Sequence, residues 1–99
     1  MILGRVIGTV WSTRKDEFLV GAKFLIVRQL DLDYMPKENF VVAVDSVGAG
    51  VGEIVLVAQG SSARQTAFTP NKPVDAVIMA IVDKLDISVK ETLQESLKE

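Results

Sequence analysis

Apolar residues cluster in short runs along the first sixty positions, each run bounded by turn-forming residues. Positions 2–11, 23–31, 40–46 and 53–59 are rich in Val, Ile, Leu and aromatic residues, which predicts four β-strands. The intervening stretches 12–22, 32–39 and 47–52 read as connections, the second built around Tyr34-Met35-Pro36. Residues 60–73 combine Gly, Ser, Thr and Asn with two prolines and read as an irregular loop. The apolar run after Pro73 fits a buried strand or a short buried helix by periodicity alone. Its β-branched content and length favour a fifth strand over 77–83, with one helical turn at 74–76. Short strands in close succession imply a mainly β fold, a barrel or a sandwich.

The period changes at Ser88. Ser88-Val89-Lys90-Glu91 matches a capping box, in which the serine hydroxyl accepts from a first-turn amide and the glutamate reaches back. Val89, Leu93 and Leu97 then recur four residues apart and make a narrow apolar stripe. A β-domain over 1–87 followed by an amphipathic helix over 88–99 is therefore expected. Isolated helices this short are marginal, so this one needs a surface to dock on, its own barrel or a neighbour's.

A half-solvated antiparallel strand alternates apolar and polar residues, yet Phe40-Val41-Val42-Ala43-Val44 and Ile54-Val55-Leu56-Val57-Ala58 are apolar on both faces. One face belongs to the interior. The other calls for a second cover, because large exposed apolar patches are rare on monomers. Another subunit is one such cover; the 60–73 loop and the terminal helix of the same chain are the alternative.

At 99 residues the chain has room for one core, and a 48% hydrophobic fraction exceeds what a core this small needs. No run approaches the roughly 18–20 apolar residues that cross a bilayer. The alternating start, Met1-Ile2-Leu3-Gly4-Arg5-Val6, is unlike a signal peptide, so a soluble, cytoplasmic protein with no membrane partner is expected. Cysteine and histidine are both absent. Disulfides, thiolate metal sites, cysteine nucleophiles and Ser-His-Asp arrangements are thereby excluded, and the usual general base is missing. Eleven basic and thirteen acidic side chains give a net charge of −2, and the basic pair Arg14-Lys15 is followed at once by Asp16-Glu17. A single-strand nucleic-acid binder needs a basic groove interleaved with aromatics, and no such stripe is visible.

Three glycines alternate in Asp45-Ser46-Val47-Gly48-Ala49-Gly50-Val51-Gly52-Glu53. A phosphate-cradling loop of the dinucleotide-binding kind needs Gly-x-Gly-x-x-Gly between a strand and a helix, whereas this stretch joins two strands. The glycines instead read as positions of positive φ and close backbone approach. Asp45 and Glu53 flank the loop and form a conceivable acid–base pair. With no histidine or metal set beside them, their plainer role is to accept hydrogen bonds from turn amides. In Gly60-Ser61-Ser62-Ala63-Arg64 the guanidinium beside two hydroxyls suits a phosphate or, more plainly, a carboxylate of the same or a neighbouring subunit. No cofactor, metal site or catalytic set emerges.

Taken together, Met1-Ile2-Leu3-Gly4-Arg5-Val6-Ile7-Gly8-Thr9-Val10, the Asp-x-Val-Gly-Ala-Gly-x-Gly-Glu core at 45–53, Gly60-Ser61-Ser62-Ala63-Arg64 and the segment from Pro73 to Asp83 resemble the EutN/CcmL family of bacterial microcompartment vertex proteins. The resemblance covers nearly the whole chain, to about Asp86. It implies a five-stranded OB-like barrel and a non-catalytic homo-pentamer that closes the five-fold corners of a polyhedral shell and meets hexameric shell proteins. It also implies that Asp45, Val47, Gly48, Ala49, Gly50, Gly52, Glu53, Ser61, Ser62 and Arg64 lie at subunit contacts or near the ring axis. Trp11 in the first strand departs from the family without disturbing its core motif. The competing expectation is an OB-type ligand- or nucleic-acid-binding module that oligomerises.

Overall fold

A computed structural model describes residues 1–12, 17–60 and 75–89. Five strands, β1 (Ile2–Val10), β2 (Phe24–Leu30), β3 (Pro36–Asp45), β4 (Ile54–Gln59) and β5 (Ala76–Val82), close into a barrel in the order β1-β2-β3-β5-β4. Every ladder is antiparallel except β3–β5, which is parallel and limited to Val44↔Val77 and Asp45↔Ile78. The mainly β, OB-like barrel expected from the chain is thus the observed architecture.

Strand alternation accounts for the core. Inward-facing Val6, Leu25, Val27, Ala43, Val55, Val57 and Ile78 fill the barrel with almost no exposure. Residues of opposite parity, Val44, Ala58 and Val77, are also buried, by a second cluster on the outside of one barrel end. Leu19, Ala22 and Phe24 pack against it, brought there by a single 3-10 turn at Glu17–Leu19. Bulges put an extra residue in two strands, Ile7 in β1 and Met79 in β5. Both are exposed, at 46% and 39%.

Four strand boundaries match the expected runs to within a residue, and β3 begins four residues earlier. Pro36, Lys37, Glu38 and Asn39 carry no apolar signal, but Pro36 pairs with Leu30, and the Arg28 guanidinium donates to the carbonyls of Lys37 (3.1 Å) and Glu38 (3.3 Å). Proline is tolerated as the first residue of a strand because no ladder donor is asked of it. The helical turn expected at 74–76 is not formed at its described residues: Ala76 pairs with Gln59, and the Gly60 amide donates to the Asp75 carbonyl at 2.7 Å, so the β4–β5 ladder runs through the position. Of the expected C-terminal helix, Ser88 and Val89 form a bend and the remainder lies outside the described residues.

Candidate subunit-contact site

The glycine loop between β3 and β4 folds back over one end of the barrel, and its own carboxylates hold it there. Asp45 Oδ1 accepts from the amides of Val47 (3.1 Å) and Ala49 (3.2 Å). Glu53 Oε1 accepts from the Gly50 amide at 2.7 Å, and the Glu53 amide donates to the Gly50 carbonyl at 3.2 Å. Both acids flanking the loop therefore act as turn acceptors, the plainer of the two roles expected of them.

Further bonds tie the loop to β1, to β5 and to the residue just before β2. The Gly52 amide donates to the Val6 carbonyl at 2.8 Å, and the Val6 amide donates to the Glu53 carbonyl at 2.9 Å. Ser46 Oγ donates to the Ile78 carbonyl at 2.6 Å, and Lys23 Nζ donates to the Ala49 carbonyl at 3.3 Å. Ala49 is 1% exposed and belongs to the barrel core. Gly48 and Gly52 carry the positive φ, 79° and 94°, that L side chains avoid. Gly50 does not; an added Cβ there meets only Glu53 Oε1, at 3.4 Å. What the loop presents outward is Val47 and Val51. Of the other expected contact residues, Ser61, Ser62 and Arg64 lie outside the described residues.

The structure adds a surface that sequence reasoning did not single out. Arg5 and Arg28 are direct cross-strand partners on the outer faces of β1 and β2, flanked by Phe40 on β3 and Ile54 on β4. Phe40 is 59% exposed and Val42 42%, with Ile7 beside them. Like charges opposite each other on a sheet are destabilising, and among the described residues neither guanidinium has a carboxylate partner. The period-2 pattern alone places each arginine outward, but their juxtaposition depends on the β1–β2 register, which the bulge at Ile7 sets.

A rigid carboxylate-latched loop beside uncovered apolar strand faces is a geometry for packing against another protein. The sequence profile of the family described as ethanolamine utilisation protein EutN/carboxysome matches residues 1–83. The chain belongs to the EutN/CcmL family. Its relatives include the carboxysome shell vertex protein CcmL of Gloeobacter violaceus, 45% identical over 88% of this chain and 87% of that protein. The bacterial microcompartment shell vertex protein GrpN of Rhodospirillum rubrum is 49% identical over 87% of this chain and 97% of its own length. In three dimensions the solved structure of Gloeobacter violaceus CcmL superposes with a TM-score of 0.83 at 44% identity, covering 89% of this chain and 91% of that one. The structure titled GrpN pentameric microcompartment shell protein from Rhodospirillum rubrum does so at 0.80 and 48%, covering 88% and 99%.

Proposed function

We propose that this chain is a non-catalytic structural subunit of a bacterial microcompartment shell, a homo-pentamer that closes the five-fold vertices. The observation that carries the reading is physical: Phe40, Val42, Ile7, Met79 and Ile81 stand exposed on the strands of an otherwise well-packed barrel, and a closed ring gives such faces a cover. The names of the relatives, shell vertex proteins throughout the matches cited, support the same reading, as does the pentameric GrpN structure. The seat of the protein is then the compartment shell. The glycine loop, with Asp45, Val47, Gly48, Ala49, Gly50, Gly52 and Glu53, lies at a contact between subunits, where its small residues let neighbouring chains approach closely. The outer rim of the ring meets hexameric shell tiles.

Native mass measurement of the full chain tests this. A five-chain mass at micromolar concentration is expected, and a stable monomer under those conditions contradicts the reading. Gly50→Val sharpens the test, because in the single chain a Cβ at this point meets only the flexible end of the Glu53 side chain. That variant keeps its far-UV spectrum and loses the pentamer; unchanged pentamer formation removes the loop from the contact. Co-sedimentation with a hexameric tile from the same shell reports the rim contact, and no co-sedimentation at any ratio argues against it.

A further inference from the structure

We propose that the outer face of β1–β2–β3, centred on Arg5, Arg28 and Phe40, docks on the β5 face of the next copy in the ring, where Asp83 and Asp86 meet the two arginines. This rests on the pentamer reading and names the two surfaces that make its contact.

Charge supplies the first argument. Two guanidinium groups stand directly opposite one another on neighbouring strands, and the Arg28 contacts to the carbonyls of Lys37 and Glu38 do not neutralise either. Such a pair is unfavourable in the free chain and becomes favourable when a carboxylate arrives, since guanidinium binds carboxylate through paired donors. The chain carries its own candidates. Asp83 follows directly on β5 and Asp86 lies three residues further, both exposed. Lys84 stands between them, so the segment keeps one net negative charge. The segment is also held in place, because the Leu85 amide donates to the Tyr34 hydroxyl at 3.1 Å.

Apolar complementarity supplies the second. Phe40, Val42 and Ile7 border the arginines, while exposed Met79 and partly buried Val82, which shares its outer face with Ile54, precede Asp83. The hydrogen bond from Ser46 to the Ile78 carbonyl keeps the glycine loop, with exposed Val47, alongside this part of β5. Each face is therefore an apolar patch next to charge, and the charges are opposite. The faces lie on different strands of the barrel, as a head-to-tail contact requires. A nucleic-acid strand is the poorer fit for the arginine face: among the described residues it offers one exposed aromatic, Phe40, where stacking of successive bases calls for several.

Charge reversal in the full chain tests the pairing. Arg5→Glu and Asp83→Lys each raise the concentration for half-assembly by about tenfold or more, read by native mass and sedimentation, with the far-UV spectrum unchanged. The double variant restores rings near the wild-type concentration. Wild-type assembly in both single variants overturns the proposal, and so does loss in both with no recovery in the double. Should Arg5→Glu fail to fold, Phe40→Ser reads the same face: fewer rings are expected, and unaltered rings overturn the proposal. Binding of a single-stranded oligonucleotide that weakens with salt and is lost in Arg5→Glu assigns the face to nucleic acid and overturns it too. A wild-type chain that never forms rings removes the vertex reading itself, whereas intact rings in the charge variants remove only this contact.

Discussion

Gly4 shows how little freedom single positions have in this barrel. A Cβ added to it runs into the Val27 side chain and comes within 2.7 Å of the Arg28 carbonyl, and a backbone atom cannot yield as a flexible side chain can. Gly4→Ala is expected to destabilise the chain by about 1–3 kcal/mol, the usual cost of overpacking. A lower urea midpoint with unchanged slope is the signature; an unmoved midpoint contradicts the close approach. Asp45 makes a second test. One of its carboxylate oxygens, Oδ1, serves two loop amides, and losing it leaves the Ala49 amide, next to a buried side chain, without its acceptor. Asp45→Ala should cost about 1–3 kcal/mol. Asp45→Asn keeps an acceptor oxygen and should cost clearly less. Equal losses in the two variants would show that the charge, and not the turn geometry, matters.

Elements reveal what a one-dimensional pattern can carry. Runs of Val, Ile and Leu located all five strands, and the doubly apolar runs at 40–44 and 54–58 announced that the outer faces need a cover, which the exposure of Phe40 and Val42 illustrates. The carboxylates at either end of the glycine loop were legible as turn acceptors for the same local reason. Register was not legible. The extra residues Ile7 and Met79 shift the ladders, and without those shifts nothing along the chain puts Arg5 opposite Arg28 or leaves Met79 in the open. The start of β3 was hidden as well, since polar Lys37, Glu38 and Asn39 lie in a ladder irregularity between the Arg28↔Phe40 and Leu30↔Pro36 pairs, where a guanidinium from β2 holds the first two. Inner and outer positions should therefore respond differently to truncation. Ile78, fully buried, is expected to lose about 2–5 kcal/mol of stability as Ile78→Ala. Val42→Ser on the outer face should leave the fold within about 0.5 kcal/mol and shift the equilibrium from ring to single chain. Denaturant titration and sedimentation separate the two outcomes, and a large folding defect in Val42→Ser would mean that the face is already covered within the chain.

At the scale of the whole molecule, folding and assembly become one equilibrium. A neighbour that binds the folded chain and not the unfolded one stabilises it by mass action, so the apparent melting temperature should rise with protein concentration. A midpoint that stays fixed over a hundredfold dilution would mean that the subunits stand alone. Salt then separates the two halves of the proposed contact. Charges screen over about 10 Å at 0.1 M and about 3 Å at 1 M ionic strength, which weakens any attraction between arginines and aspartates across subunits. Apolar contact responds in the opposite sense to strongly excluded salts such as sulfate, which favour burial. The expected behaviour is a melting temperature lowered by sodium chloride and raised by sodium sulfate at equal ionic strength. In Arg5→Glu the chloride effect should shrink, because a repulsion at this position offsets the attraction that Arg28 retains. A chloride response identical to that of the wild type would place the charges that matter somewhere other than the outer face of β1.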